Sequence, residues 1–446
     1  MASFEIEKIK KSLSNSSANY RVNLGCLFLF FTTMVLLPKF FPSMGSIQLM
    51  LLCLLTTVIP LCLYDLFIAQ IFRQPSTDLL TKPTRFNKER LTIKLIGFYT
   101  TIFVILCFYY LIDTVFPDTV LKTFLKFLNP AAPWMIVLSL IYFYAIDRRQ
   151  KNPCDEYWQM GCLITGRWRN IDTQVLKEHT RAWFIKAFFT PFLFVLLLRY
   201  LEHFRSFHEQ GWNFLFFHGY LLDLFYTADV IYGLLGYVLT CRVLDTHIRS
   251  TEPTFLGWFV CLMCYDPLNT YFGIGLFQYD DGLQWQHWFA FFPIFYYFYA
   301  IVILFLTLVY GLSTVAFGYR MSNLTYRGLI TSGPYRFTKH PAYVCKVASW
   351  WLISLPFLSV SGPGVALQNT LSLLFISFIY YLRARTEENH LSNYPEYVEY
   401  GNWMNDHGVF RSIGKFLPFL KYSEEKCKRW RSIVWFKKSG IKTVHS

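Results

Sequence analysis

Tyr299-Ala300-Ile301-Val302-Ile303-Leu304-Phe305-Leu306-Thr307-Leu308-Val309-Tyr310-Gly311-Leu312-Ser313-Thr314-Val315-Ala316 carries no charged side chain. A helix needs about 17–25 mostly apolar residues to cross the hydrocarbon core of a bilayer, so this stretch, the heart of an apolar run over about 287–316, reads as a membrane span. Nine further runs have the same character, at about 22–41, 46–72, 91–116, 131–146, 182–200, 212–240, 254–277, 344–360 and 364–382. The seventh in chain order, 254–277, is broken by Tyr265-Asp266-Pro267-Leu268-Asn269 and reads either as a kinked span or as a segment that does not fully cross. Composition agrees: 54% of the 446 residues are hydrophobic and 16% are charged, against about 25% charged in a soluble domain. The expected fold is all-α, a polytopic integral membrane helical bundle of about ten transmembrane helices. The first run has no small-residue cleavage site before its polar flank, so it reads as a retained helix rather than a signal peptide.

Basic residues predict the orientation, because loops that stay in the cytoplasm hold the Lys/Arg excess. With ten spans and the N-terminus inside, the inner segments hold 34 of the 42 Lys and Arg residues and the outer ones hold 4. Both termini are therefore expected in the cytoplasm. The formal charge of +14 is spread over several loops rather than one face, which speaks against a nucleic-acid partner. Six of the 11 cysteines, Cys26, Cys53, Cys62, Cys107, Cys261 and Cys264, lie inside apolar runs, where Cys behaves as a small hydrophobe. Cys261 and Cys264 have the spacing of a zinc pair without a second pair. Glu202, His203, His208 and Glu209 share one outer loop and read as its solvated face. No metal site is expected.

The chain divides by composition. Residues 1–250 form a six-span block with few distinctive polar residues and no assignable role. Residues 251–286 hold the weak span and an aromatic outer loop that includes Asp280 and Asp281. Residues 287–422 carry the concentrated chemistry, and 423–446 form a basic, aromatic tail suited to an anionic leaflet.

That chemistry sits in two segments at the ends of one hairpin. The first is Gly333-Pro334-Tyr335-Arg336-Phe337-Thr338-Lys339-His340-Pro341-Ala342-Tyr343, and the second is Arg383-Ala384-Arg385-Thr386-Glu387-Glu388-Asn389-His390-Leu391. Gly-Pro marks a turn, and a residue before proline is held extended, which suits fixed directions for Tyr335, His340 and Tyr343. Arg383 and Glu387 are four apart and are expected to pair on one helix face, with Tyr394, Tyr397 and Tyr400 extending the stripe. Both helices of a hairpin start and finish on one side, so the segments can meet. By the charge count that side is cytoplasmic.

Thr331-Ser332-Gly333-Pro334-Tyr335-Arg336, His340-Pro341-Ala342-Tyr343, Arg383, Glu387-Glu388, Leu391, Tyr397 and Tyr400 together resemble the signature of the isoprenylcysteine carboxyl methyltransferase family, itself similar to membrane phospholipid N-methyltransferases. The resemblance covers about residues 290–422. It implies an enzyme that uses S-adenosylmethionine at a C-terminal site open to the cytoplasm. It further implies that Tyr335, His340, Pro341, Tyr343, Glu387 and Glu388 bind that cofactor, and that Arg383 and Glu387, with Arg385 nearby, act at the transfer centre. The chain departs from the family at Cys345-Lys346, where Gly is frequent at the first position, and in the hairpin connection Pro356–Gly364.

The residue types fit the chemistry. S-adenosylmethionine presents a sulfonium, an amino-acid end with both charges and an adenine, and Glu, His, Tyr and Arg supply matching donors and acceptors. A carboxylate acceptor needs no strong base and can be held bidentately by Arg383. An amine acceptor would need His340 or Glu388 to take a proton. The expected partner is a hydrophobic, lipid-like acceptor within the membrane, most simply a carboxylate. A lipid N-methyltransferase, a sterol-type reductase, and a non-catalytic transporter or scaffold are the alternatives. The sequence leaves the oligomeric state open.

Overall fold

The computed structural model describes residues 16–116, 120–206, 213–266, 268–270 and 278–428. His208, Glu209, Pro267 and most of the basic tail lie outside them. The chain enters α1 (Tyr20–Phe40) through Asn19, whose side chain accepts from the Arg21 and Val22 amides, and turns into α2 (Ser46–Leu63). α3 (Lys88–Val115) is capped by Asn87 and followed by α4 (Val120–Asp147). A short α5 (Glu156–Ile164), capped by Asp155, leads to α6 (Thr173–Ser206) and α7 (Phe214–Val238), capped by Asn213. Each cap satisfies amide donors that a helix N-terminus leaves open. α8 (Phe255–Leu262) follows. Four of the later helices open on proline, which is pre-set for a first turn: α9 (Pro293–Phe317), α10 (Pro341–Ser354), α11 (Pro363–Leu391) and α12 (Pro395–His407). One two-residue antiparallel pair, β1 (Ser250–Thr251) with β2 (Thr325–Tyr326), is the sheet among the described residues.

Among the described residues, eight helices are long and apolar enough to cross a membrane. Their outward faces expose large apolar side chains such as Phe28, Trp134, Ile294 and Ile301, which lipid accommodates and water would not. Of the runs in the expected set of about ten, the seventh, read as kinked or not fully crossing, and the ninth hold helices shorter than these eight. α8 has eight residues and α10 has fourteen, about 21 Å at 1.5 Å per residue against a core of about 30 Å.

α7 and α9 are parallel: His218 meets the Ala300 carbonyl at 3.3 Å near their starts, and a Cβ on Gly236 would lie 1.9 Å from the Met321 carbonyl near their ends. Parallel neighbours require a return crossing between them. It begins at β1 beside β2 and passes Tyr265, whose hydroxyl receives the Asn323 amide at 3.2 Å. It reaches Trp285, buried 5.3 Å from the His218 ring at the opposite end. α10 then runs antiparallel to α9, from Lys346 over the Tyr310 ring to Leu355 in a cluster with Trp285, Ala300 and Ile303. α11 brings the chain back. The described residues between α7 and α9 thus lie at both ends of these two helices, Tyr265 near Asn323 and Trp285 near His218.

The first block and the last pack directly on each other. The Asn23 amide on α1 donates to the Val315 carbonyl at 2.8 Å, and the Ser17 amide to the Leu329 carbonyl at 2.8 Å. Within the first block, α3 and α5 touch backbone to backbone: a Cβ on Gly97 would fall 2.0 Å from the Tyr157 carbonyl, and one on Gly161 1.9 Å from that of Ile93. Beside this contact the fully buried Lys94 ammonium bridges Asp147 at 3.2 Å and Asp155 at 3.0 Å, and Arg90 holds Asp147 from the other side at 2.8 Å.

Candidate active site

The first polar segment is clamped before it reaches the cavity. Gly333 has φ +60°, and a Cβ there would lie 3.1 Å from the Tyr20 ring and 3.2 Å from Ala316, so glycine alone fits without strain. Gly333–Arg336 make a single helical turn. The Tyr335 ring stands edge-on to Phe317 at 5.2 Å, and its carbonyl accepts from the Tyr400 hydroxyl at 2.7 Å. The Phe337 carbonyl receives the Val409 amide at 2.9 Å. His340 has φ −131° and ψ 57°, outside the extended region expected of a residue before proline, so the expected extended backbone is corrected here.

His340 and Tyr343 then project toward α11 with their rings 5.6 Å apart and nearly parallel. The imidazole stands between two carboxylates: Nε2 lies 3.2 Å from Glu388 Oε1 and Nδ1 3.8 Å from Glu387 Oε2. Glu387 also accepts from the Tyr343 hydroxyl at 2.9 Å and remains 39% exposed at its side chain. Glu388 is buried and saturated by His340, by Lys339 at 2.6 Å and by Arg385. Burial pulls the Lys339 ammonium below its ordinary pKa, and Glu388 opposes that shift. The two neighbouring carboxylates therefore differ in kind, one locked in ion pairs and one with free capacity.

Arg383 does not pair with Glu387. Its guanidinium donates to Asn323 Oδ1 at 3.2 Å and sits over the rings of Tyr343, Tyr380 and Tyr265 at 5.0, 5.3 and 5.6 Å. Four-residue spacing puts both side chains on one face, but Tyr343 draws Glu387 away and the aromatic box takes the cation, a favourable cation–π arrangement. Arg385 faces the other way, toward Glu388 and the Lys421 carbonyl at 3.2 Å. The expected tyrosine stripe is also broken, because α11 stops at Leu391 and Pro395 starts a new helix. Tyr394 instead lies 3.8 Å from the Tyr326 ring and donates to Ser250, while Tyr397 and Tyr400 are buried on α12.

Two cavities meet here. The first holds about 980 Å³ with the open solvent at its mouth included and is lined by Tyr335, His340, Tyr343, Arg383 and Glu387. The second, about 1230 Å³, lies beyond His340, Tyr343 and Tyr380 and takes in Lys339, Arg385 and Glu388. Pro341 is buried in the first turn of α10 and lines neither; its part is to fix the backbone of His340.

Sequence reading missed Asn323, Tyr265, Tyr310, Tyr380, Lys346 and Asp229, all in the wall of the first cavity. Asp229 comes from α7, so the first block contributes to the site. Both its oxygens are occupied, by the Tyr310 and Thr314 hydroxyls. Glu252 lines the same cavity, and burial lifts its carboxyl to about 7 against the bonds from Thr254. Other polar residues have structural ties: Asp281 accepts from Ser359 at 2.7 Å, His203 stands 3.3 Å from Asp223, and Cys264 donates to the Val260 carbonyl.

Residues 296–393 match the model of the isoprenylcysteine carboxyl methyltransferase (ICMT) family. The match takes in α9, α10, α11 and both polar segments, about a fifth of the chain. No curated protein and no solved structure matches the chain. The matched region has the character of a membrane methyltransferase, and the cavity described above lies largely within it.

Proposed function

We propose that the chain transfers a methyl group from S-adenosylmethionine to a hydrophobic acceptor within the membrane, most simply a lipid-borne carboxylate. One observation carries the reading: two polar segments 40 residues apart converge on one cavity that holds an under-used carboxylate, Glu387, and a guanidinium, Arg383, with no carboxylate within 4 Å among the described residues. The donor set suits a zwitterionic, sulfonium-bearing molecule beside an anion.

When bound, S-adenosylmethionine supplies an electrophilic methyl on a cationic sulfur, and a carboxylate oxygen forms the new C–O bond as the C–S bond breaks toward sulfur. Glu387, His340 and Tyr335 would bind the cofactor's polar end. Arg383 would hold the acceptor oxygens in line for attack, which is where much of such a barrier is lowered. No proton has to move, so His340 has only to orient. Asn323 and the three tyrosines fix the guanidinium. The basic-residue asymmetry supports a cytoplasmic rim and cytoplasmic termini.

The test is label transfer from methyl-tritiated S-adenosylmethionine by the purified full chain to N-acetyl-S-farnesylcysteine, to phosphatidylethanolamine, or to neither. A base-labile methyl ester on the first, lost in Arg383→Lys with cofactor binding intact, is the expected result. Transfer to the amine would replace the carboxylate reading with N-methylation. Transfer to neither, together with NADPH binding, would replace both with a reductase.

A further inference from the structure

Lys346 belongs to no part of the machinery described so far. It sits on α10, three residues past Tyr343, about 4.5 Å further from the rim at 1.5 Å per residue. Its ammonium lies over the rings of Tyr310, Trp350 and Tyr380 at 5.0, 5.3 and 6.0 Å, and no carboxylate stands within 4 Å among the described residues. The nearest candidate, Asp229, spends both oxygens on the Tyr310 and Thr314 hydroxyls. A lysine at membrane depth without a close counter-charge is costly, and such residues commonly mark a ligand path. Lys346 also stands at a junction. It lines the polar cavity with Arg383, and it lines a separate space of about 960 Å³ bounded by Met263, Tyr279, Trp350, Ile376 and Ile379. The Tyr380 ring, touched by both cations, keeps Arg383 and Lys346 within about 11 Å of each other.

We infer that Lys346 binds an anionic group of the acceptor, a carboxylate or a phosphate, at the point where its polar head in the first cavity joins a tail along the Met263, Trp350, Ile376 and Ile379 side of the adjoining space, whose other walls include Asn269, Thr270 and Gln278. This rests on the methyltransferase reading for the word acceptor, but the site itself does not. The acceptor class that follows is a lipid with an anion one helical turn deeper than the atom that is methylated. A bare prenyl or acyl tail starting directly at the reacting group would meet the ammonium instead and leave it uncompensated.

Three probes with one tail test it: oleate, oleoyl lysophosphatidate and the neutral oleyl alcohol, titrated into the full chain in a neutral maltoside detergent. The wild type should bind at least one anion tenfold or more tighter than the alcohol, the factor expected for a hydrogen bond to a charged group. Whichever anion wins names the source. Lys346→Gln should bring the preference under about threefold, and Lys346→Arg should keep it. Equal binding of all three probes by the wild type would overturn the inference even if Lys346→Gln failed to fold, and so would a preference that survives in Lys346→Gln. A Lys346→Gln protein that loses thermal stability, regains it with Asp229→Asn and keeps the anion preference would assign the lysine to Asp229. S-adenosylmethionine titrated into the same samples reports separately on the methyltransferase reading: no binding there, with the anion preference intact, would sink that reading and leave this site.

Discussion

Among the groups of buried charges in this bundle, one in the first block and one in the last are built in opposite ways. In the first block, Arg90, Lys94, Asp147 and Asp155 meet one another at 2.8–3.2 Å, and Gln150 donates to Asp155 at 2.9 Å. In the last block, Arg383 and Lys346 rest on tyrosine and tryptophan rings and face a cavity. A closed cluster holds helices α3 and α4 and the start of α5 together and has nothing left to offer a ligand. An open one satisfies its cations only in part and keeps capacity for a partner. The same contrast recurs at smaller scale between Glu388, locked by Lys339, Arg385 and His340, and the half-exposed Glu387, which accepts from Tyr343.

The comparison can be broken at either end. The largest effect expected is on stability in the closed cluster. Asp147→Ala leaves Lys94 short of one partner and Arg90 of its only one, and breaking a buried pair costs about 3–5 kcal/mol. Thermal unfolding in detergent should show a large drop, with cofactor affinity unchanged in the fraction that stays folded. A variant as stable as wild type would mean that the cluster does not hold the helices.

Glu252 belongs to the open side and should give stability a pH slope. Its carboxyl ionises near 4.5 unfolded and near 7 in the folded chain, raised by burial. The folded state therefore holds the extra proton between those values. Stability is greatest below about 4.5, falls as pH rises toward 7, and is level above. The Glu252 contribution is about 2–3 kcal/mol across that window. Glu252→Gln should flatten this part of the profile; an unchanged slope would remove Glu252 as its source.

The smallest effect is at the clamp. Tyr400→Phe removes the hydroxyl that holds the Tyr335 carbonyl, and a neutral hydrogen bond contributes about 1 kcal/mol. Cofactor affinity should weaken a few fold with little loss of stability. A change of a hundredfold would make Tyr400 a direct ligand rather than a support.

The sequence showed the bundle and both chemical segments, because apolar length and local turn grammar are written in contiguous residues. Tyr335, His340, Tyr343 and Glu387, singled out within those segments, line one cavity. Sequence reading misjudged the partner of Arg383, since spacing on a helix says which side chains share a face but not what approaches that face. Asn323 and Tyr265 do approach it, from 60 and 118 positions away, and neither stands in a motif. Asp229 was hidden inside an apolar run. The seventh run was ambiguous because the helix within it, α8, has only eight residues and carries too little periodicity.

Calorimetric titration of the purified full chain with S-adenosylmethionine tests the central claim most directly. The account predicts saturable binding at one site per chain, competed by S-adenosylhomocysteine, and weakened tenfold or more by His340→Ala and by Glu387→Ala while Asp147→Asn leaves it unchanged. Absence of saturable binding, or equal affinity in wild type and in both rim variants with their folds intact, would contradict it.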